Sequence, residues 1–125
     1  VGVHCCAPPP LGALLELAPD TVSFDAWQGL ESVCNDPLAL DLLGEVETIA
    51  WGIIPTSEDD LNSLDVPALA ERWRTAVSVL GDPDAMLERS VFTPACGLGS
   101  RTLAVATLAF STLTRFAAHP SLRAR

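Results

Sequence analysis

Strand-like and helical segments alternate along this chain four times with little left over, and that alternation restricts the fold more than any other feature. Val1 to Cys5 is apolar and β-branched, and Pro8-Pro9-Pro10 ends it, because proline cannot donate to a sheet ladder. Leu11 to Leu17 is a short helical stretch. Thr21-Val22-Ser23-Phe24-Asp25 reads as a second strand. A broken helical region follows, with Asp36 placed as an N-cap, Pro37 at the first helical position, and Leu38, Leu42 and Val46 at helical spacing. Thr48 to Ile54 is a third strand, closed by Pro55. Beyond Asp65 and Pro67, Leu69, Trp73, Val77 and Leu80 repeat at i, i+4, i+8 and i+11, which marks one face of a helix that Gly81 stops. Asp82-Pro83 opens a shorter helix ending near Arg89. Val91-Phe92-Thr93 is the fourth strand, leading through Pro94 and Ala95 to Cys96-Gly97. A last helix runs from about Arg101 to His119, with Pro120 beyond it.

Four βα units in succession predict an α/β domain spanning 1–125, with a parallel sheet and right-handed crossovers. A (β/α)8 barrel has eight such units and typically ~250 residues. The alternation alone therefore allows either half a barrel or a small open α/β sheet. In both, ligands gather at the carboxyl ends of the strands.

Composition narrows the function classes. The chain has 125 residues, 49% of them hydrophobic and 18% charged, which is too apolar for disorder and long enough for a core. Its formal charge is −9, from 16 acidic against 7 basic residues, so no nucleic-acid partner is expected. The acidic run Glu58-Asp59-Asp60 reads as a solvated loop and helix start. The most apolar stretch, Thr102 to Ala118, is interrupted by threonines, Ser111 and Arg115 and is too short and polar for a membrane span, so no membrane partner is expected. The first residues lack the basic region of a signal peptide. Cysteines at 5, 6, 34 and 96, two of them adjacent, do not have the pattern of a secreted disulfide framework. Metal or redox chemistry in a reducing, cytoplasmic setting is the expectation.

The donors lie where ligands gather. His4, Cys6, Asp25 and Cys96 sit at or just past strand ends. On an extended strand residues i and i+2 point to one face, so His4 and Cys6 aim an imidazole and a thiol at the same point. Nitrogen, sulfur and oxygen donors of this kind suit zinc. Cys5 faces the other side of its strand as a small core hydrophobe, and Cys34 reads as packing. A redox pair of neighbouring Cys5 and Cys6 is disfavoured, because their side chains point apart and the disulfide is strained. His119, near a helix carboxyl end, reads as complementing the dipole. Trp51 and Trp73 read as core. Trp27, just after Asp25, is a candidate lining residue, with core packing as the plainer reading. Arg101 is a candidate partner for an anionic substrate group, with a solvated side chain as the plainer reading.

These motifs resemble the cobalamin-independent methionine synthase family, within the zinc-dependent thiol methyltransferase barrels. The matching segments are His4-Cys5-Cys6 at a strand end, Asp25 in Val-Ser-Phe-Asp, and Pro94-Ala95-Cys96-Gly97-Leu98 at the last strand. Gly52-Ile53-Ile54-Pro55-Thr56 is similar to a glycine-initiated strand between them. The resemblance covers nearly the whole chain and implies the last four βα units of the catalytic barrel, that is, half of a TIM (β/α)8 barrel. It further implies a methyltransferase of methionine biosynthesis, with zinc held by His4, Cys6, Asp25 and Cys96 and no catalytic residues beyond those ligands. The reaction it implies moves a methyl group from a folate-type donor to a zinc-activated thiol such as homocysteine. Two departures matter. The family's synthases usually carry Glu where Asp25 stands, and the preceding four units are not in this chain. A half-barrel exposes two sheet edges and a face, which proteins rarely leave open. Pairing is therefore expected, as a homodimer or with an amino-terminal half. The alternative is a half-barrel assembly module without catalysis.

Overall fold

All four predicted strands form and pair side by side. In the computed structural model, whose described residues are 1–6 and 8–123, β1 (Gly2–Cys5), β2 (Thr21–Asp25), β3 (Thr48–Ile54) and β4 (Ser90–Pro94) make one sheet in that order, every neighbouring pair parallel. The helices are α1 (Leu11–Leu17), α2 (Ala26–Cys34), α3 (Ala39–Glu45), α4 (Glu58–Asn62), α5 (Val66–Val77), α6 (Pro83–Glu88) and α7 (Leu103–Ala117).

The strand order decides between the two architectures left open by the sequence. Each crossover moves one strand along in the same direction, without the reversal of a doubly wound sheet. Right-handed connections of that kind put the helices on one face. The fold is thus α/β with an all-parallel four-stranded sheet, the arrangement of four βα units of a half barrel.

Burial follows this one-sided layering. Val22 and Phe24 of β2 and Ile49, Trp51 and Ile53 of β3 are buried toward the helices, with Ala26, Leu30, Leu42, Leu69, Trp73 and Phe116 packed in the same core. Phe24, Trp51, Trp73, Phe92 and Phe116 form a continuous edge-to-face series with ring centroids 5.0–5.9 Å apart. Trp51 Nε1 donates to Ser90 Oγ at 2.8 Å. The opposite face carries His4 and Val91, both exposed, and the half-buried Thr21, Ser23, Asp25, Thr48 and Ala50.

Side-chain caps set where the helices begin. Asp25, Ser57, Asp65, Asp82 and Thr102 each accept from a backbone N–H in the first turn of the helix that follows. Asp36 behaves differently from the expectation. Its Oδ1 accepts from Leu38 N at 2.8 Å in a local turn, and α3 starts only at Ala39, so Pro37 stays outside the helix and Leu38 stays exposed. The long helix ends as α at Val77. Ser78–Leu80 is a 3-10 turn, stopped by Gly81 at φ 138°, a conformation open to glycine. Among the described residues, no helix is long and apolar enough to cross a membrane.

Candidate metal centre

The carboxyl end of the sheet gathers the predicted donors. His4 lies opposite Ser23 in the β1–β2 register, on the open face. Its Nδ1 shares a 2.8 Å hydrogen bond with Ser23 Oγ. With Nδ1–H donating to that hydroxyl, the Nε2 lone pair is left facing Cys6, whose Sγ is 3.2 Å away. Such a partner on the far ring nitrogen fixes tautomer and ring orientation, as it does for metal-bound histidines.

Cys96 arrives from the opposite edge. In a flat sheet β1 and β4 would stand about 14 Å apart, three strand spacings. Yet Cys6 Sγ and Cys96 Sγ are 3.9 Å apart. The segments leaving β1 and β4 thus bring the two thiols together from opposite edges of the sheet. Both thiols are exposed.

Asp25 takes a structural role as well as a central place. Its Oδ1 accepts from Trp27 N at 2.9 Å and Gln28 N at 3.1 Å, capping α2. Oδ2 takes no part in that cap. Asp25 borders two cavities of about 260 Å³ each, one shared with Cys6 and Gln28, the other with Cys96, Trp27 and Arg101. It therefore lines a cavity with each of the two thiols. Gly52 lies opposite it in β3, and the backbone there is crowded: a Cβ would fall 2.8 Å from the Phe24 carbonyl and 3.0 Å from Ala95 Cα.

Negative groups crowd Cys6. Its thiol titrates above the ordinary range, first because of the hydrogen bond with Cys96, then through the charge of Cys96, desolvation, and the charges of Asp25 and Cys5. A divalent cation at this point reverses that balance, since it favours deprotonated sulfur.

The donor spacings permit a test of zinc. Bonds of about 2.3 Å to sulfur and about 2.05 Å to nitrogen, at tetrahedral angles, put S···S near ~3.8 Å and N···S near ~3.6 Å. The observed 3.9 and 3.2 Å lie close to both. The two contacts share Cys6 and form a chain rather than a closed set. Among the described residues, no group of three or more His, Cys, Asp or Glu side chains is preassembled to hold a metal ion. The donor chemistry and the two pairwise spacings fit zinc.

The remaining sequence candidates divide. Trp27 and Arg101 both border the Cys96 cavity. Trp27 is half-buried with the Arg72 guanidinium 5.9 Å from its ring centroid, and Arg72 also donates to the Trp27 carbonyl and forks onto Glu31 at 2.6 and 2.7 Å. Arg101 is exposed and lies ahead of α7. Cys5 packs half-buried against the core, and Cys34 is buried with its thiol pushed up to about 12, chiefly by desolvation and then by the Glu31 charge. His119 follows the carboxyl end of α7, and its Nδ1 accepts from Ser121 N to cap the 3-10 turn Pro120–Leu122. Two contributors were missed by the sequence reading. Ser23 was findable from the alternation of β2, which puts it on the face of Asp25. The Arg72–Glu31 clamp under Trp27 had no local signal, because its members lie 41 residues apart.

No family model matches this chain, and no curated protein and no solved structure matches it.

Proposed function

We propose that this chain is the zinc-binding half of a thiol methyltransferase barrel, moving a methyl group from a folate-type donor to a bound thiol such as homocysteine. The observation that supports the reading is a chain of two contacts, His4 Nε2 to Cys6 Sγ at 3.2 Å and Cys6 Sγ to Cys96 Sγ at 3.9 Å, which links donors from opposite edges of the sheet. The motif resemblance supports it from the sequence. Zinc bound by His4, Cys6 and Cys96, with Asp25 Oδ2 as the weaker fourth donor, would keep a substrate sulfur deprotonated and nucleophilic.

The chain's own residues prepare that site. Ser23 holds the His4 ring. Asp25 is tied to the start of α2 through Oδ1, which limits how far Oδ2 can move and makes it the displaceable donor. Two thiolates and a carboxylate would leave the loaded site near a charge of −1, unsuited to activating water. Arg101, on the shared cavity, is the cation positioned to meet an anionic group of the acceptor, and Trp27 walls the same space. A cytoplasmic setting is part of the proposal, since the exposed thiols must stay reduced.

A half-barrel assembly module is the second reading. It is favoured by the one-sided helical layer, which leaves a sheet face and the outer edges of β1 and β4 uncovered among the described residues. The two readings are compatible, since pairing with a second copy or an amino-terminal half would complete the substrate pocket.

Metal analysis after purification under reducing conditions tests the zinc reading. Roughly one zinc per chain is expected, dropping on Cys6→Ser or Cys96→Ser with the fold retained. Less than about 0.3 zinc per chain, unchanged by those substitutions, would refute it.

A further inference from the structure

We propose that Cys6 and Cys96 close into an intramolecular disulfide when the protein meets a peroxide, a switch that staples the two edges of the sheet and withdraws both sulfurs from the donor set. The crosslink stands on geometry alone, whereas its consequence for the donor set rests on the zinc reading.

The geometry selects one pair among the four cysteines. Cys6 and Cys96 are both exposed, with sulfurs 3.9 Å apart. A disulfide needs about 2 Å, so the sulfurs must approach by about 2 Å, within the reach of side-chain rotation at exposed positions. Cys5 alternates to the other side of β1 and packs against the core. Cys34 is buried in α2. Neither reaches Cys96 without unfolding. The residues joined are 90 apart in sequence, so the bond closes a loop across nearly the whole chain. Loops of that size stabilise most, by constraining the unfolded chain.

The chemistry balances with hydrogen peroxide as the oxidant. One thiolate attacks the O–O bond, which breaks to leave a sulfenic acid and release water. The second thiol attacks that sulfur and forms the S–S bond, and the sulfenic oxygen leaves with a proton as a second water. Each cysteine sulfur gives up one electron, and the peroxide takes both. Thiols return the pair to its reduced form by exchange.

Mass spectrometry of the wild-type chain decides the matter. Metal-free protein is treated with peroxide, then alkylated under denaturing conditions. Two of the four thiols are expected to become unreactive, with a mass loss of about 2 Da before alkylation. The tryptic peptide Ser90–Arg101 should be joined to Cys6, as read by fragmentation of the linked pair. Four reactive thiols, a bond from Cys6 to Cys5 or Cys34, or a bond between two chains would each overturn the proposal. A chain carrying Cys5→Ser and Cys34→Ala should crosslink as wild type does, and failure of this folded variant would count against it. The same experiment on zinc-loaded protein separates the two claims. At least a tenfold slower crosslinking is expected there, and an unchanged rate would refute the zinc reading while leaving the disulfide standing.

Discussion

Replacing Gly52 with alanine tests whether the strand ends at the site are as tightly set as they look. The added Cβ would lie 2.8 Å from the Phe24 carbonyl oxygen, 3.0 Å from Ala95 Cα and 3.2 Å from the Pro94 carbonyl oxygen. All three are backbone atoms, so none can rotate aside. Carbon–oxygen contacts settle near 3.3 Å or more, so β2 and the β4 exit must each retreat by about 0.5 Å. Overpacking of a filled site costs typically 1–3 kcal/mol, and the rigid neighbours put this case near ~2–3. Alanine narrows the unfolded ensemble and returns about 0.4–1 kcal/mol. The net loss is about 1–2.5 kcal/mol, which for a chain of this size lowers Tm by roughly 3–12 °C. Thermal unfolding followed by circular dichroism measures it. Gly29→Ala in α2 is the control of opposite sign. Its Cβ meets nothing within 4 Å, and the helix interior gains about 0.5–1 kcal/mol over glycine. A Gly52→Ala protein melting within about 2 °C of wild type would show that the strands yield freely and that the crowding argument is wrong.

Two further outcomes follow from the core and the clamp. Among the described residues, Trp73 Nε1 is buried without a hydrogen-bond partner. Trp73→Phe removes that unpaired donor, so its loss in urea unfolding should be about 1–2 kcal/mol, against about 3–5 for Trp73→Ala; equal losses would refute the offset. Glu31 titrates below the usual carboxylate range, first because of its hydrogen bonds with Arg72. A lowered folded pKa contributes stability above the unfolded value, about 4.3, and loses it as pH falls through the folded one. With Glu31 half exposed, the contribution is under about 1 kcal/mol. The stability gap between wild type and Glu31→Gln should therefore be present at about pH 7 and close toward about pH 3, and a gap constant over that range would rule out the linkage.

The strands were legible because three of the four apolar runs lead to prolines, β2 instead ending at the helix-capping Asp25, and because parallel strands buried on the helical side need no close alternation at Trp51 to Ile54. The helix ends were less so. Asp36-Pro37 has the composition of a helix start, but the Asp36 side chain satisfies Leu38 N locally and delays the helix to Ala39. The periodicity through Leu80 is real, yet the last turn tightens to 3-10 geometry, which side-chain spacing does not distinguish. At the site, the sequence placed His4, Cys6 and Cys96 at strand ends. It did not show that the two thiols come within 3.9 Å, since that depends on how the whole sheet and the loops leaving its edge strands are arranged. Asp25 was placed at the end of a strand as a donor, and the structure shows it also capping α2 through Oδ1, a role open to an aspartate just ahead of a helix.

The sequential strand order has a consequence for how the site comes into being. Each strand pairs only with its neighbours along the chain, so partial structures of two or three consecutive units already contain their own sheet contacts. The pair Cys6 and Cys96 is different, because it joins the first unit to the last. Their contact therefore requires the first and last units to be present together and closes the longest loop of the sheet. A partial fold lacking either terminal unit would hold much of the sheet and leave its remaining rim cysteine without a partner.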